Sequence, residues 1–177
     1  PVSAQGMGGR QVRTGKEYGE IYDHHYVEFT YADGSIMNSQ CRHIKNCWDE
    51  VNEKLTGTKG TVDFGEGSVM GYNGKSILKY DDKNDPNPYQ VEHDMLFDAI
   101  AKGEYKFDNA EYGATSTMTA ILGRMATYSG KMIKWDEALN SKISIMPKEY
   151  AWDANPPVLP NNEGFYPIPM PGSTEVI

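Results

Sequence analysis

DNAEYGATSTMTAILGRMATYSGKMIKWDEAL, residues 108–139, reads as one long helix with both ends signalled, then a short strand, then the start of a second helix. Asp108 suits the N-cap, where its carboxylate can accept from the orphan N–H groups of the first turn, and Glu111 follows at capping-box spacing. Ala114, Thr117, Met118, Ile121, Met125 and Tyr128 recur at three- and four-residue intervals, one face of a helix. Gly130 stands where a left-handed C-terminal residue belongs. Gly113, Ala114, Ser116, Ala120 and Gly123 are small and would let another backbone approach closely, although glycine weakens the helix itself. A core helix lying on a sheet is the expectation.

Outward from this helix, residues 1–80 read as strands and turns. Val2–Val12 is extended and glycine-rich. His24–Ala32 alternates, with Val27, Phe29 and Tyr31 on one face and Tyr26, Glu28 and Thr30 on the other. Asp33–Gly34 is a two-residue hairpin signal, and Ser35–His43 the returning strand. Short strands are expected at Asn52–Thr56, Thr61–Phe64, Ser68–Tyr72 and Ser76–Tyr80. No helix-period segment interrupts them. Parallel pairing needs long crossovers, so the sheet should be mostly antiparallel. Asn87, Pro88 and Gly103 bracket another helix, with an apolar stripe of Tyr89, His93, Leu96, Phe97 and Ile100. Strands first and helices second predict an α+β domain: an open-faced antiparallel sheet with helices on one face. The open face would stay in water or be covered by a second subunit.

Residues 147–177 hold seven of the ten prolines, together with Trp152, Phe165 and Tyr166. Proline blocks helix, so this tail is expected to be extended, and its aromatic groups to dock it on its own domain or on a partner subunit. The division expected is a domain over 1–146 and a tail over 147–177.

The net charge of −8 repels a phosphate backbone and argues against nucleic acid. No apolar run approaches the ~20 residues of a membrane helix, so no membrane role is expected. Cys41 and Cys47 are too few for a disulfide scaffold, and their spacing matches no common zinc site. The compartment stays open between cytoplasm and periplasm. A chain beginning at Pro1 is expected to be a segment of a longer protein, with any export signal upstream.

Gly6-Met7-Gly8-Gly9 invites a nucleotide reading, but the dinucleotide fingerprint needs a third glycine where Gln11 stands. A glycine-rich strand packed closely against another backbone is the better expectation. Asp23-His24-His25 sits at the mouth of a strand. A two-residue turn at Asp33–Gly34 would place His24 opposite His43, and His25 opposite Arg42. Three readings stand side by side: a metal site with Cys41 and Asp23, a substrate-facing cluster, or surface histidines. Two side chains from one hairpin are too few to assign a metal. Arg10, His24 and His43 are the candidate substrate contacts, in a region rich in hydrogen-bond donors suited to hydroxyl groups. His93, on its apolar stripe, is expected to be a core histidine. No catalytic residue is assigned within the chain.

The segments GTKG (57–60), DAIAKG (98–103) and, above all, 110–139 resemble the C-terminal domain of the Gfo/Idh/MocA oxidoreductases. GGRQVRT (8–14), YGEIYDHHYVEFTYADG (18–34) and GFYPIPMPG (164–172) resemble a subgroup of that family that often carries an export signal. The resemblance implies a two-domain enzyme. A Rossmann domain upstream would bind NAD or NADP. The C-terminal domain would shape a sugar or polyol pocket and form a homo-oligomer through its open sheet. The family's lysine, in an E-K-P motif, is absent here. Its histidine belongs to a D-x3-H-type motif that would fall before Pro1, and Asp23-His24-His25 does not match it. The expected function is therefore the substrate-binding and oligomerisation domain of an NAD(P)-dependent oxidoreductase, not active alone. The alternatives are a domain of an NAD-dependent glycosidase of the same family and a non-catalytic oligomerisation or carbohydrate-binding module.

Overall fold

A computed structural model describes residues 1–177. The fold is α+β, with antiparallel sheets throughout. The eight strands resolve into two four-stranded sheets, and the chain divides into two compact units, residues 1–45 with 109–177 and residues 46–108.

In the first unit, β1 (Ser3–Gly9), β2 (His24–Thr30), β3 (Ile36–Arg42) and β8 (Ile133–Lys134) form a sheet of order β3-β2-β1-β8. Alternation sends Ala4, Val27 and Phe29 to one face. Helix α2 (Ala110–Ser129) lies there, mostly along β1 and β2. With Leu122, Met125, Ala126, Ile133 and Ala138 these residues make the core; α3 (Trp135–Leu139) supplies Ala138. Burying side chains such as Leu122 or Phe29 stabilises by roughly 1.5–3 kcal/mol each. Two glycines set the approach of the helix. A Cβ on Gly123 would sit 2.8 Å from Cζ of Phe29, and one on Gly6 would sit 3.2 Å from Cγ2 of Thr127.

The long helix departs from its sequence signals in two ways. Asn109, not Asp108, is the cap residue, and no side chain caps it. Its buried residues run from Leu122 to Ser129, whereas Ala114, Thr117 and Ile121 are exposed. The sheet core meets the C-terminal half of the helix; of the stripe's N-terminal members, Met118 packs against the core, while Ala114 and Thr117 do not reach it. Gly130 ends the helix in the left-handed region (φ 69°), and its N–H donates to the Ala126 carbonyl at 2.9 Å.

The β2–β3 hairpin corrects the expected turn. The Gly34 N–H donates to the Tyr31 carbonyl and the Tyr31 N–H to the Ser35 carbonyl, with Gly34 at φ 84°. This is a three-residue loop, a tight turn followed by a left-handed glycine. The Asp33 carboxylate accepts from both N and Oγ of Ser35, which favours that geometry. The register therefore moves by one residue. His24 lies opposite Arg42 and His25 opposite Cys41.

The tail, residues 147–177, has no helix or strand. Its last part is tied to the first unit. The Tyr22 hydroxyl donates to the Pro169 carbonyl at 2.8 Å, the Gly172 N–H to the Ser129 carbonyl at 2.7 Å, and the Ser141 hydroxyl to the Val176 carbonyl at 3.2 Å. Val176 packs against the core. Trp152 is fully exposed, so it does not anchor the tail on this chain.

In the second unit, β4 (Lys54–Thr56), β5 (Gly60–Asp63), β6 (Ser68–Gly71) and β7 (Ser76–Lys79) form an antiparallel meander. Helix α1 (Pro88–Ala101) starts at Asn87, whose side chain accepts from the N–H groups of Tyr89 and Gln90. Of its residues only Ala99 is buried. Tyr89, Leu96, Phe97 and Ile100 are exposed, because no strand of the unit packs extensively on the helix. His93 is exposed with them; its Nδ1 lies 2.6 Å from the Tyr89 carbonyl. It is a surface histidine, not a core one.

No helix is long and apolar enough to cross a membrane.

Candidate functional site

Asp23 precedes β2 and is held on both sides by its backbone. Its N–H donates to the Gly9 carbonyl, and its carbonyl accepts from the His43 N–H, each at 2.9 Å. The side chain turns inward and is only 3% exposed. Its Oδ2 accepts from three successive backbone N–H groups, Gln11 and Val12 at 2.7 Å and Arg13 at 3.0 Å. Its Oδ1 lies 2.7 Å from Nδ1 of His24. Burial alone would raise this carboxyl. The donors of Arg13, Val12 and Gln11, with His24, outweigh burial and hold it well below the usual carboxylate range.

An ionised carboxylate only accepts, so Nδ1 of His24 carries the hydrogen. The ring lies over Gly9: a Cβ there would sit 3.2 Å from Cε1 and 3.3 Å from Nε2. Pairing places Gly9, His24 and Arg42 in one row across the sheet, on the face away from α2. The next rows on that face are Met7, Tyr26 and Gln40, then Gln5, Glu28 and Asn38. The Tyr26 hydroxyl donates to Oδ1 of Asn38 at 2.7 Å. Met7, Tyr26 and Ile36 are exposed apolar groups on this face, and β3 is exposed along its length. The open face thus combines hydrogen-bonding groups with apolar patches.

The other face carries a second cluster. Nδ1 of His25 lies 2.9 Å from Oγ1 of Thr127, whose hydroxyl donates to the Arg124 carbonyl. His25 therefore also donates through Nδ1. Its ring stacks near Tyr128, which packs at 4.5 Å on Tyr22. The Arg124 guanidinium covers the Tyr128 ring at 4.4 Å and pairs with Glu20 at 3.2 Å. Burial, then His24 and Arg124, push His25 below its ordinary value, against an opposing pull from Asp23.

The three residues singled out in the sequence separate here. His24 stands on the open face. Arg10, one residue past β1, is turned into its own loop, where Nη1 donates to the Gly19 carbonyl and Nη2 to the Gly15 carbonyl, the latter at 3.1 Å. His43, one residue past β3, lies opposite Asp23 and not opposite His24. Cys41 shares a row with His25, so it falls on the other face from His24. His24, His43, Cys41 and Asp23 do not converge on one point. Asp23 and His24 are adjacent in sequence, but the three backbone donors that hold the carboxylate lie ten to twelve residues upstream, and no local signal marks them.

Gly6-Met7-Gly8-Gly9 lies inside β1, paired with β2 through His24–Val27. It opens no helix and so does not fit a dinucleotide phosphate. Its bare Cα atoms serve close packing: at Gly8 a Cβ would sit 2.7 Å from the His24 carbonyl.

No family model matches the chain, and no curated protein matches it.

Proposed function

We propose that this chain is the substrate-side and oligomerisation domain of an NAD(P)-dependent oxidoreductase acting on a sugar or polyol, with the nucleotide held by a Rossmann domain outside residues 1–177. The observation that carries the reading is the buried Asp23 carboxylate orienting His24 at the end of an uncovered antiparallel sheet. The sequence resemblance implies a sugar or polyol pocket shaped by this domain and an open sheet that serves oligomerisation. The exposed Met7 and Tyr26 beside polar Gln40, Asn38 and Glu28 suit a sugar, which offers C–H faces and hydroxyl groups together. The same face serves a second copy further along the sheet, at Ile36 and the exposed length of β3.

Titration of the chain with hexoses, pentoses and alditols, followed by amide resonances, tests the substrate side. Shifts should cluster on Gly9, His24, Tyr26 and Arg42. Calorimetry with NADH and NADPH tests the division of labour, because the Gly6–Gly9 strand offers no phosphate cradle. Micromolar nucleotide binding by these 177 residues, or sugars that perturb none of this face, would overturn the proposal.

A further inference from the structure

The two nitrogens of His24 have different fates. Nδ1 is tied to Asp23, a carboxylate that four hydrogen bonds fix in place. Nε2 takes no part in that bond, and the side chain is 39% exposed. In the neutral ring, with the hydrogen held on Nδ1, Nε2 presents a lone pair to the open face. A histidine free in solution interconverts its tautomers; this one is locked by a buried charge. Gly9 is the reason the ring can lie flat across the strand pair, since a side chain there would press on Cε1 and Nε2.

A lone pair needs a donor. Among the chemistries that an open polar sheet face with Tyr26 and Met7 could meet, a hydroxyl group supplies one and a carboxylate does not. A metal is less well served, because His24 would be its one ligand: Asp23 is committed to backbone donors, and Cys41 lies on the other face. We propose that Nε2 of His24 is a fixed hydrogen-bond acceptor for a hydroxyl group of a bound neutral sugar or polyol, with Asp23 as the positioning residue. The inference rests on the functional reading above and adds to it the contact atom, its polarity and the group of the ligand that meets it.

Long-range ¹H–¹⁵N spectra of the imidazole rings test it directly, recorded free and with the same panel of hexoses, pentoses and alditols. In the free protein His24 should show a protonated Nδ1 and an unprotonated Nε2, and a binding polyol should move the Nε2 resonance. His24→Ala should weaken polyol affinity about three- to tenfold, the worth of one hydrogen bond. Asp23→Asn should invert the tautomer. Its one amide oxygen goes to the N–H groups of Gln11–Arg13, its NH₂ then faces Nδ1, and the ring hydrogen moves to Nε2. A free protein with the hydrogen on Nε2 overturns the inference whatever binds. Polyols that shift the sheet-face amides but leave Nε2 unmoved, or that bind His24→Ala with unchanged affinity, overturn the inference alone. No response to any polyol overturns both the inference and the reading on which it rests.

Discussion

Oδ1 of Asp23 lies 2.7 Å from Nδ1 of His24, and the carboxylate is buried while the imidazole is not. One residue thus joins the loop at Gln11–Arg13 to the open end of the sheet. Asp23→Asn keeps the shape and removes the charge. It should destabilise the protein by about 1.5–3 kcal/mol at neutral pH, the range for hydrogen bonds to a charged group. Urea unfolding measures this; a midpoint equal to wild type would mean that the loop does not depend on the charge.

The same carboxylate predicts a sign for acid stability. Its folded pKa lies below the unfolded value, so the unfolded chain takes up the proton first as pH falls. Its contribution is complete above the unfolded value, about 3.9, and is lost as pH drops below it. His25 works in the same direction in a higher window. Its folded value is also depressed, so stability should begin to fall below about pH 6.5 as the unfolded chain charges first. Urea midpoints against pH should show both slopes, with His25→Gln flattening the upper one and Asp23→Asn the lower one. Curves parallel to wild type in both variants would contradict these assignments.

Gly123 is a helix position where alanine should be harmful. Alanine favours helix over glycine by about 1 kcal/mol. Here its Cβ would stand 2.8 Å from the Phe29 ring, which is packed in the core and cannot swing into solvent. Overpacking of this kind costs about 1–3 kcal/mol. Gly123→Ala should therefore lower the melting temperature, whereas Gly113→Ala, with nothing near its Cβ, should raise or preserve it. A melting temperature raised by Gly123→Ala would show that α2 sits further from the sheet.

The end of the tail is fastened by backbone groups more than by rings. Tyr22→Phe removes the donor to the Pro169 carbonyl and should cost about 1 kcal/mol. Hydrogen exchange should quicken at Gly172, whose N–H caps the α2 carbonyl of Ser129. Trp152→Ala, at a fully exposed ring, should leave the stability of the single chain unchanged. A large loss on Trp152→Ala would place that ring in an interface.

The open face predicts self-association. A specific interface buries at least about 1,000 Å² in total. Ile36→Glu puts charge on the exposed apolar position at the far end of that face from His24 and should shift the sedimentation profile toward monomer. Wild-type chain that sediments as monomer at tens of micromolar would remove the oligomerisation half of the proposal.

Much of the fold was legible in the sequence. The alternation of Val27 and Phe29, the cap at Asn87 and the glycines at Gly103 and Gly130 are local signals, and each marks its element in the structure. What failed depended on partners or on one residue of turn geometry. Asp33–Gly34 does signal a hairpin, but the two bonds that Ser35 donates to the Asp33 carboxylate favour a three-residue loop, which slides His24 away from His43. Periodicity found the stripe of α1 but could not say that no strand would cover it. Arg10 reads as a substrate contact in the sequence because nothing local reveals that the carbonyls of Gly15 and Gly19 curl back to it. The role of Asp23 was hidden for the same reason, since its three backbone donors are ten to twelve residues away.

The most direct measurement is sugar-dependent reduction of NAD⁺ or NADP⁺ by the protein expressed from its whole natural reading frame, with and without His24→Ala. At least one sugar or polyol should drive nucleotide reduction. His24→Ala should lower kcat/KM by about three- to tenfold at an unchanged melting temperature. No reduction with any sugar, or wild-type kinetics in the His24 variant, would contradict the proposal.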